Sequence, residues 1–185
     1  MDSGTFNYRR FIGGDNDGMV EIIREYKDGL IFYINSIVGN IHIAEELAED
    51  TFVVLGTKRP RDKGRGSFKT WLYTIGRNVA IDHLRRSAKH RCAPAEEYAL
   101  IAADEESLEE AYIREERKIA LHRALGALKP EYRQVLWLVY FEELSAKQAA
   151  AVMKKSVHSV EMLVCRARKS LKLTLENGGF VYEEL

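Results

Sequence analysis

Only three prolines interrupt this chain, Pro60, Pro94 and Pro130, and between them the apolar residues recur at helical spacing, with no strand-like alternation. Proline lacks a backbone N–H and clashes with the preceding turn, so a chain this poor in it is free to run in long helices broken near those points. Val20, Ile23, Lys27, Leu30, Ile31 and Ile34 follow an i, i+3, i+4 pattern that predicts a long amphipathic helix to about Val38, its start capped by Asp15 or Asp17. A second helix is predicted from about Ile41 through Leu47 to Leu55, ending near Gly56. A polar loop, Lys58 to Ser67, separates it from a third helix that continues to about Arg86. Further helices are expected at 117–126, 130–141, 145–153 and 157–174, followed by a frayed tail. The fold class is therefore all-α: two small helical domains, 1–92 and 118–176, joined by an acidic linker at 93–117, with a tail at 177–185.

The charges between those breaks are sorted. The 185 residues carry 28 Lys+Arg and 28 Asp+Glu, a formal net charge of zero. By segment, residues 1–57 are net −6, 58–91 net +9, 92–117 net −7 and 118–175 net +7. Screening over about 10 Å keeps distant charges from cancelling one another, so local fields survive the overall neutrality. Zero net charge thus excludes nothing about nucleic acid. With 46% hydrophobic and 30% charged residues, the composition fits a globular chain. No apolar run approaches the ~18 residues of a membrane span, and no secretory signal is expected. Two cysteines, Cys92 and Cys165, make no disulfide framework, so the expected compartment is the cytoplasm.

Two basic stretches have the residue types of nucleic-acid surfaces. From Leu144 to Lys172 the pattern predicts a helix-turn-helix: Ser145 caps a short helix, Lys154–Lys155 make a tight connection, and Ser156 caps the next helix. At 100° per residue, Val157, Val160, Val164, Leu171 and Leu175 face one way, and His158, Ser159, Met162, Arg166 and Lys169 the other. A helix that packs one side and offers polar groups near its N-terminus suits a major groove, with Arg166, Arg168, Lys169 and Lys172 placed for phosphates. In GRGSFKTWLYTIGRNVAIDHLRRSAKHR, Phe68, Leu72, Ile75 and Val79 form a core stripe with Trp71 at its margin. The opposite side carries Thr70, Tyr73, Thr74, Arg77, Asn78 and Arg85. Cations that track a backbone, interleaved with aromatic rings that accept unstacked bases, suit single-stranded DNA. Phe68 is expected in the core; Tyr73, off the stripe, is the better stacking candidate.

The run SFKTWLYTIGRNVAIDHLRR resembles the promoter-melting helix of extracytoplasmic-function (ECF) sigma factors of the sigma-70 superfamily. AEELAEDTFVVL resembles that family's helix for docking on the RNA polymerase β′ clamp. NYRRFIGGDNDGMVEIIREYKDGLIFYINSIVG resembles its first long helix, and ALHRALGALKPEYRQVLWLVYFEELSAKQAAAVMKKSVHSVEMLVCRARKSL its −35-reading domain. The four occur in the family's order over residues 5–175. The resemblance implies a sigma factor that binds core RNA polymerase at the β′ clamp and β flap, recognises −35 and −10 elements of promoter DNA, and is held by an anti-sigma factor.

Residue by residue, the resemblance implies that Glu45, Glu46, Glu49, Asp50 and Phe52 face the clamp. Lys58, Arg61, Lys63, Arg65 and Ser67 belong to the loop around the flipped −10 base, and Phe68, Trp71, Tyr73, Thr74 and Asn78 to the melting helix. Arg77, Arg85, Arg86 and Lys89 contact phosphates, while Asp82, near the buried edge, braces Arg86. Lys155, Ser156, His158, Ser159, Glu161, Met162, Arg166, Arg168 and Lys169 face the −35 duplex. The chain departs from the family where basic recognition residues are replaced by Glu161, Met162 and Leu163, and where the turn has Lys154 in place of glycine. Glu161 suits a cytosine amino group and Met162 a thymine methyl.

Other chemistry finds little support. His83, His90, Cys92 and Cys165 match no standard zinc spacing, so no metal is expected. No nucleophile–base motif, cofactor loop or paired carboxylates stand out, so neither catalysis nor a cofactor is expected. The alternative functions are a stand-alone helix-turn-helix regulator, with residues 1–90 as a ligand or dimerisation domain, and a protein-binding helical adaptor.

Overall fold

Two tight breaks, after Ile12 and after Val38, cut the N-terminal part into three helices: α1 (Ser3–Ile12), α2 (Asp17–Val38) and α3 (Ile41–Lys58). A computed structural model describes residues 2–58, 66–89 and 120–178. The second break follows from chemistry. Gly39 takes the left-handed conformation (φ 74°) and donates to the Asn35 carbonyl, and Asn40 Oδ1 accepts from Ile43 N–H at 3.1 Å to start α3. α3 runs past its expected end at Gly56 to Lys58, because that glycine is helical and packs close to Met19 and Phe11. α1 was not foreseen. It buries only Gly4, Tyr8 and Phe11, too sparse a pattern to stand out among polar neighbours. Its cap, Asp2, serves two helices: one carboxylate oxygen accepts from Thr5 N–H at 2.7 Å, the other from Phe68 N–H at 3.0 Å.

α4 (Phe68–Lys89) lies across α2 and α3. Its fully buried residues are Phe68, Leu72, Tyr73 and Ala80, while Ile75 and Val79 are only half-buried. The core stripe is therefore rotated from the expected one, because α4 has packing partners on more than one side. The C-terminal helices are α5 (120–127), α6 (Pro130–Leu136), α7 (Ala146–Met153) and α8 (Val157–Asn177). Pro130 opens α6, where its missing N–H costs nothing. The expected helix at 130–141 changes character at Trp137. Residues Trp137–Phe141 form a π turn, closed by a bond from Glu142 N–H to the Trp137 carbonyl at 3.1 Å, with the Trp137 and Phe141 rings stacked at 4.2 Å. Ser145 and Ser156 cap α7 and α8 as the sequence predicts, Ser145 in a reciprocal box with Gln148.

Every element among the described residues is a helix, and none is long and apolar enough to cross a membrane. The core centres on α2, where Ile22, Leu30, Tyr33 and Ile34 are fully buried. It does not stop at the linker. α6 and the π turn pack on α2, and α7 packs on α4, so one apolar cluster runs from Tyr8 to Ala167.

Candidate nucleic-acid interface

Ser156 makes the start of α8 rigid: its hydroxyl oxygen accepts from Ser159 N–H at 3.1 Å. Beyond this cap, His158, Ser159, Met162, Arg166 and Lys169 are exposed on one side, while Val160 and Ala167 are buried and Val164 and Leu171 half-buried on the other. Val157 departs from expectation. It is 40% exposed, because the first residue of α8 lies ahead of the face that packs on α7. Glu161 and Arg168 lie on a flank, lining a groove with Leu121, Leu125 and Tyr140. Lys155 is engaged by Glu131 at 3.0 Å. The open side is wide enough to be read by a partner and carries no fixed charge opposing it.

The surface of α4 is arranged differently. Phe68 is fully buried, its ring 5.7 Å from Tyr8 and 5.5 Å from Tyr26, as a core residue should be. Trp71 is half-buried, edge-on to Tyr8 at 5.1 Å. Tyr73 is not on an open side. It is fully buried, 5.4 Å from the Tyr33 ring, and burial together with the neighbouring Glu142 carboxylate pushes its hydroxyl far above the ordinary phenol pKa. Thr70 is buried and Thr74, Arg77 and Asn78 are half-buried. Ser67 Oγ accepts from Gln148 Nε2 at 3.1 Å, and Asn78 Oδ1 accepts from Lys154 Nζ at 2.7 Å. Further along, Arg85 and Arg86 are exposed. Asp82 is exposed as well, away from any buried edge. Its carboxylate meets Arg85 at 3.4 Å, whereas Arg86 Nε reaches its backbone carbonyl. Lys58 ends α3 in solvent; Arg61, Lys63 and Arg65 lie outside the described residues, as does the side chain of Lys89.

On α3, Glu45, Glu46, Glu49 and Asp50 are exposed and form an acidic face. Phe52 does not join it. It is 8% exposed and packs inward beside Thr51 and Leu55, and the outward apolar position falls to Val53, 58% exposed.

A family model described as "Sigma-70 region 2" matches residues 22–90, and one described as "Sigma-70, region 4" matches residues 118–171. Together they cover about two thirds of the chain, in the order that the helices occupy. The chain belongs to the sigma-70 family, in its ECF group. It is similar to the ECF RNA polymerase sigma factor SigW of Bacillus subtilis, 28% identical over 172 residues that cover 89% of this chain and 92% of the relative. The sigma factor YlaC of the same organism is 29% identical over 157 residues, covering 84% and 91%. Among solved structures, the sigma factor RpoE in complex with the anti-sigma factor NepR from Bartonella quintana has the same fold. Its TM-score is 0.66 at 23% identity, covering 84% of this chain and 97% of that one. The protein is thus a sigma factor that initiates transcription. The region 2 match takes in α2, α3 and α4; the region 4 match takes in α5 to α7 and most of α8.

Four residues of the sigma factor that the sequence did not single out converge where α7 meets α4. Lys69 Nζ pairs with Glu142 Oε2 at 2.8 Å and donates to the Glu142 backbone carbonyl at 2.9 Å. The Glu142 carboxylate, 8% exposed, also accepts from Trp137 Nε1 at 3.1 Å. Gly29 makes room for it, since a Cβ there would come within 2.5 Å of both Glu142 Oε1 and the Tyr73 hydroxyl. Gln148 and Lys154 complete the set. Nothing local marks Glu142 in sequence: Glu142–Glu143 after an apolar run reads as a solvated loop.

Proposed function

We propose that this sigma factor docks on core RNA polymerase through the acidic face of α3, reads a −35 duplex with α8, and holds the −10 strand on α4 and the preceding loop. The observation that carries the reading is α8: a capped helix with one packed side and one exposed side of His158, Ser159, Met162, Arg166 and Lys169. Glu45, Glu46, Glu49 and Asp50, with Val53 among them in place of Phe52, offer an acidic surface with an apolar member to a basic clamp. Residues 1–92 form the polymerase and −10 domain and 118–176 the −35 domain, with 93–117 as connector. Binding free energy for the unstacked strand favours the melted promoter, so no catalytic group or cofactor is needed, and the site of action is the cytoplasm.

An anti-sigma factor is a fitting partner, in keeping with the complex in which RpoE is bound to NepR. The test mixes the protein with core RNA polymerase and a promoter library and sequences the transcripts. Transcripts that start downstream of a common −35 and −10 pair are expected. No association with core polymerase would overturn the proposal.

A further inference from the structure

We infer that the free chain closes on itself, α7 and the Lys154 turn covering the α4 face that would hold the −10 strand, with the Glu142 carboxylate occupying Lys69 in place of a DNA phosphate. The inference rests on the role proposed above for α4 and adds to it the regulation of that surface.

The contacts that close the face are polar and spaced along it. Gln148 holds Ser67, Glu142 holds Lys69, and Lys154 holds Asn78. From Ser67 to Asn78 the helix rises about 16 Å at 1.5 Å per residue, so the clasp spans three turns. Within that span Thr70 is 6% exposed and Tyr73 fully buried, which leaves no room for a nucleotide strand beside α7.

Charge explains why the clasp needs a carboxylate. Segments of net +9 and +7 repel one another when brought into contact. Glu142, one of few acidic residues in the second segment, is the one turned into the contact, where it neutralises Lys69 with a charge-assisted bond. A phosphate arriving at Lys69 competes for the same ammonium group. Opening must also release Glu142 from near-complete burial, so the ion pair is lost only when DNA or polymerase supplies a replacement.

Lys154 adds an independent sign. It sits in the left-handed region (φ 54°, ψ 45°), which glycine adopts without strain and lysine does not. Its ammonium group meanwhile reaches across to Asn78. The strained residue is the one that makes the contact. On α8, by contrast, the reading side stays open, so the closed chain withholds its strand-binding surface and not its duplex-reading one.

The test uses the full chain without polymerase. Wild type, Lys154→Gly and Glu142→Gln are compared for radius of gyration by small-angle X-ray scattering, and for affinity to a fluorescein-labelled single-stranded oligonucleotide by anisotropy. Glycine relieves the turn as it removes the contact, so Lys154→Gly reports even if Glu142→Gln does not fold. Expected are a larger radius and, if about nine molecules in ten are closed, up to a tenfold gain in strand affinity for each folded variant. Unchanged radius and affinity in folded Lys154→Gly would overturn the closure, as would a loss of affinity. Core-polymerase transcription by wild type separates the two ideas: transcripts with unchanged variants overturn the closure alone, and tighter strand binding without core association overturns the proposed function alone.

Discussion

α4 and α8 are both basic, both long and both placed to meet DNA, yet they are built on different plans. α8 keeps its two sides apart: Val160 and Ala167 pack inward, and His158, Met162 and Arg166 stay out. α4 is enclosed on several sides, with Phe68 among α1 and α2 aromatics, Tyr73 beside Tyr33, and Asn78 under Lys154. An amphipathic helix offers a surface with no rearrangement, whereas a helix packed all round offers one only after something moves. α8 is thus a ready surface and α4 a conditional one.

That comparison breaks most easily in the core. Leu72→Ala, on fully buried α4, is expected to cost about 2–5 kcal/mol in urea unfolding, while Met162→Ala on α8 should stay within about 0.5 kcal/mol. Equal costs would show that α8 is as enclosed as α4. Next, the two helix starts should differ in reach. Asp2→Ala removes caps from α1 and α4 together and is expected to cost up to about 2 kcal/mol.

Asp2 also gives that loss a pH dependence. Partial burial works against its ionised form, but bonds from the Thr5 N–H and hydroxyl and from the Phe68 N–H outweigh it and hold the pKa below the ordinary value. A depressed carboxyl stabilises the fold above its unfolded pKa of about 3.9, and that contribution disappears as pH falls through the folded value. Wild type and Asp2→Ala should therefore converge in acid below about pH 4 and separate above it; a gap that persists in acid would point to lost packing.

On α8, Arg166→Ala should weaken duplex promoter binding about tenfold and lower the salt slope by about 1, with unfolding unchanged. Anisotropy at several salt concentrations reads both. The smallest effect expected is for Ser156→Ala, about 1 kcal/mol and confined to the first turn of α8, visible as faster amide exchange there.

Much of the fold is local and was therefore legible. The 3.6-residue period located α2 and α8, and Ser145 and Ser156 announced the caps of α7 and α8. Rotational detail was harder to read. Phe52, Tyr73 and Val157 each lie beside the boundary between two sides of a helix, where one step of 100° changes burial, and neighbours distant in sequence decide which way the step goes. α1 was hidden by its few apolar residues, and its cap belongs equally to a helix 66 residues away. For the same reason the Lys69–Glu142 pair had no signature, since its partners are 73 residues apart and each looks like an ordinary surface charge. Of the candidate DNA residues, those on α8 followed from periodicity alone, while those on α4 depended on which helix would come to rest against them.

The π turn at Trp137–Phe141 gives the chain an unusual sensitivity to length. Such a turn accommodates one residue more than an α-helical turn, which shifts everything after it by about 100° around the axis. Loss of a single codon within it would leave a regular helix and an intact reading frame, yet carry Glu142 round to another side, out of reach of Lys69. The phase of one helical turn thus links the coding length of this segment to whether its two halves stay clasped.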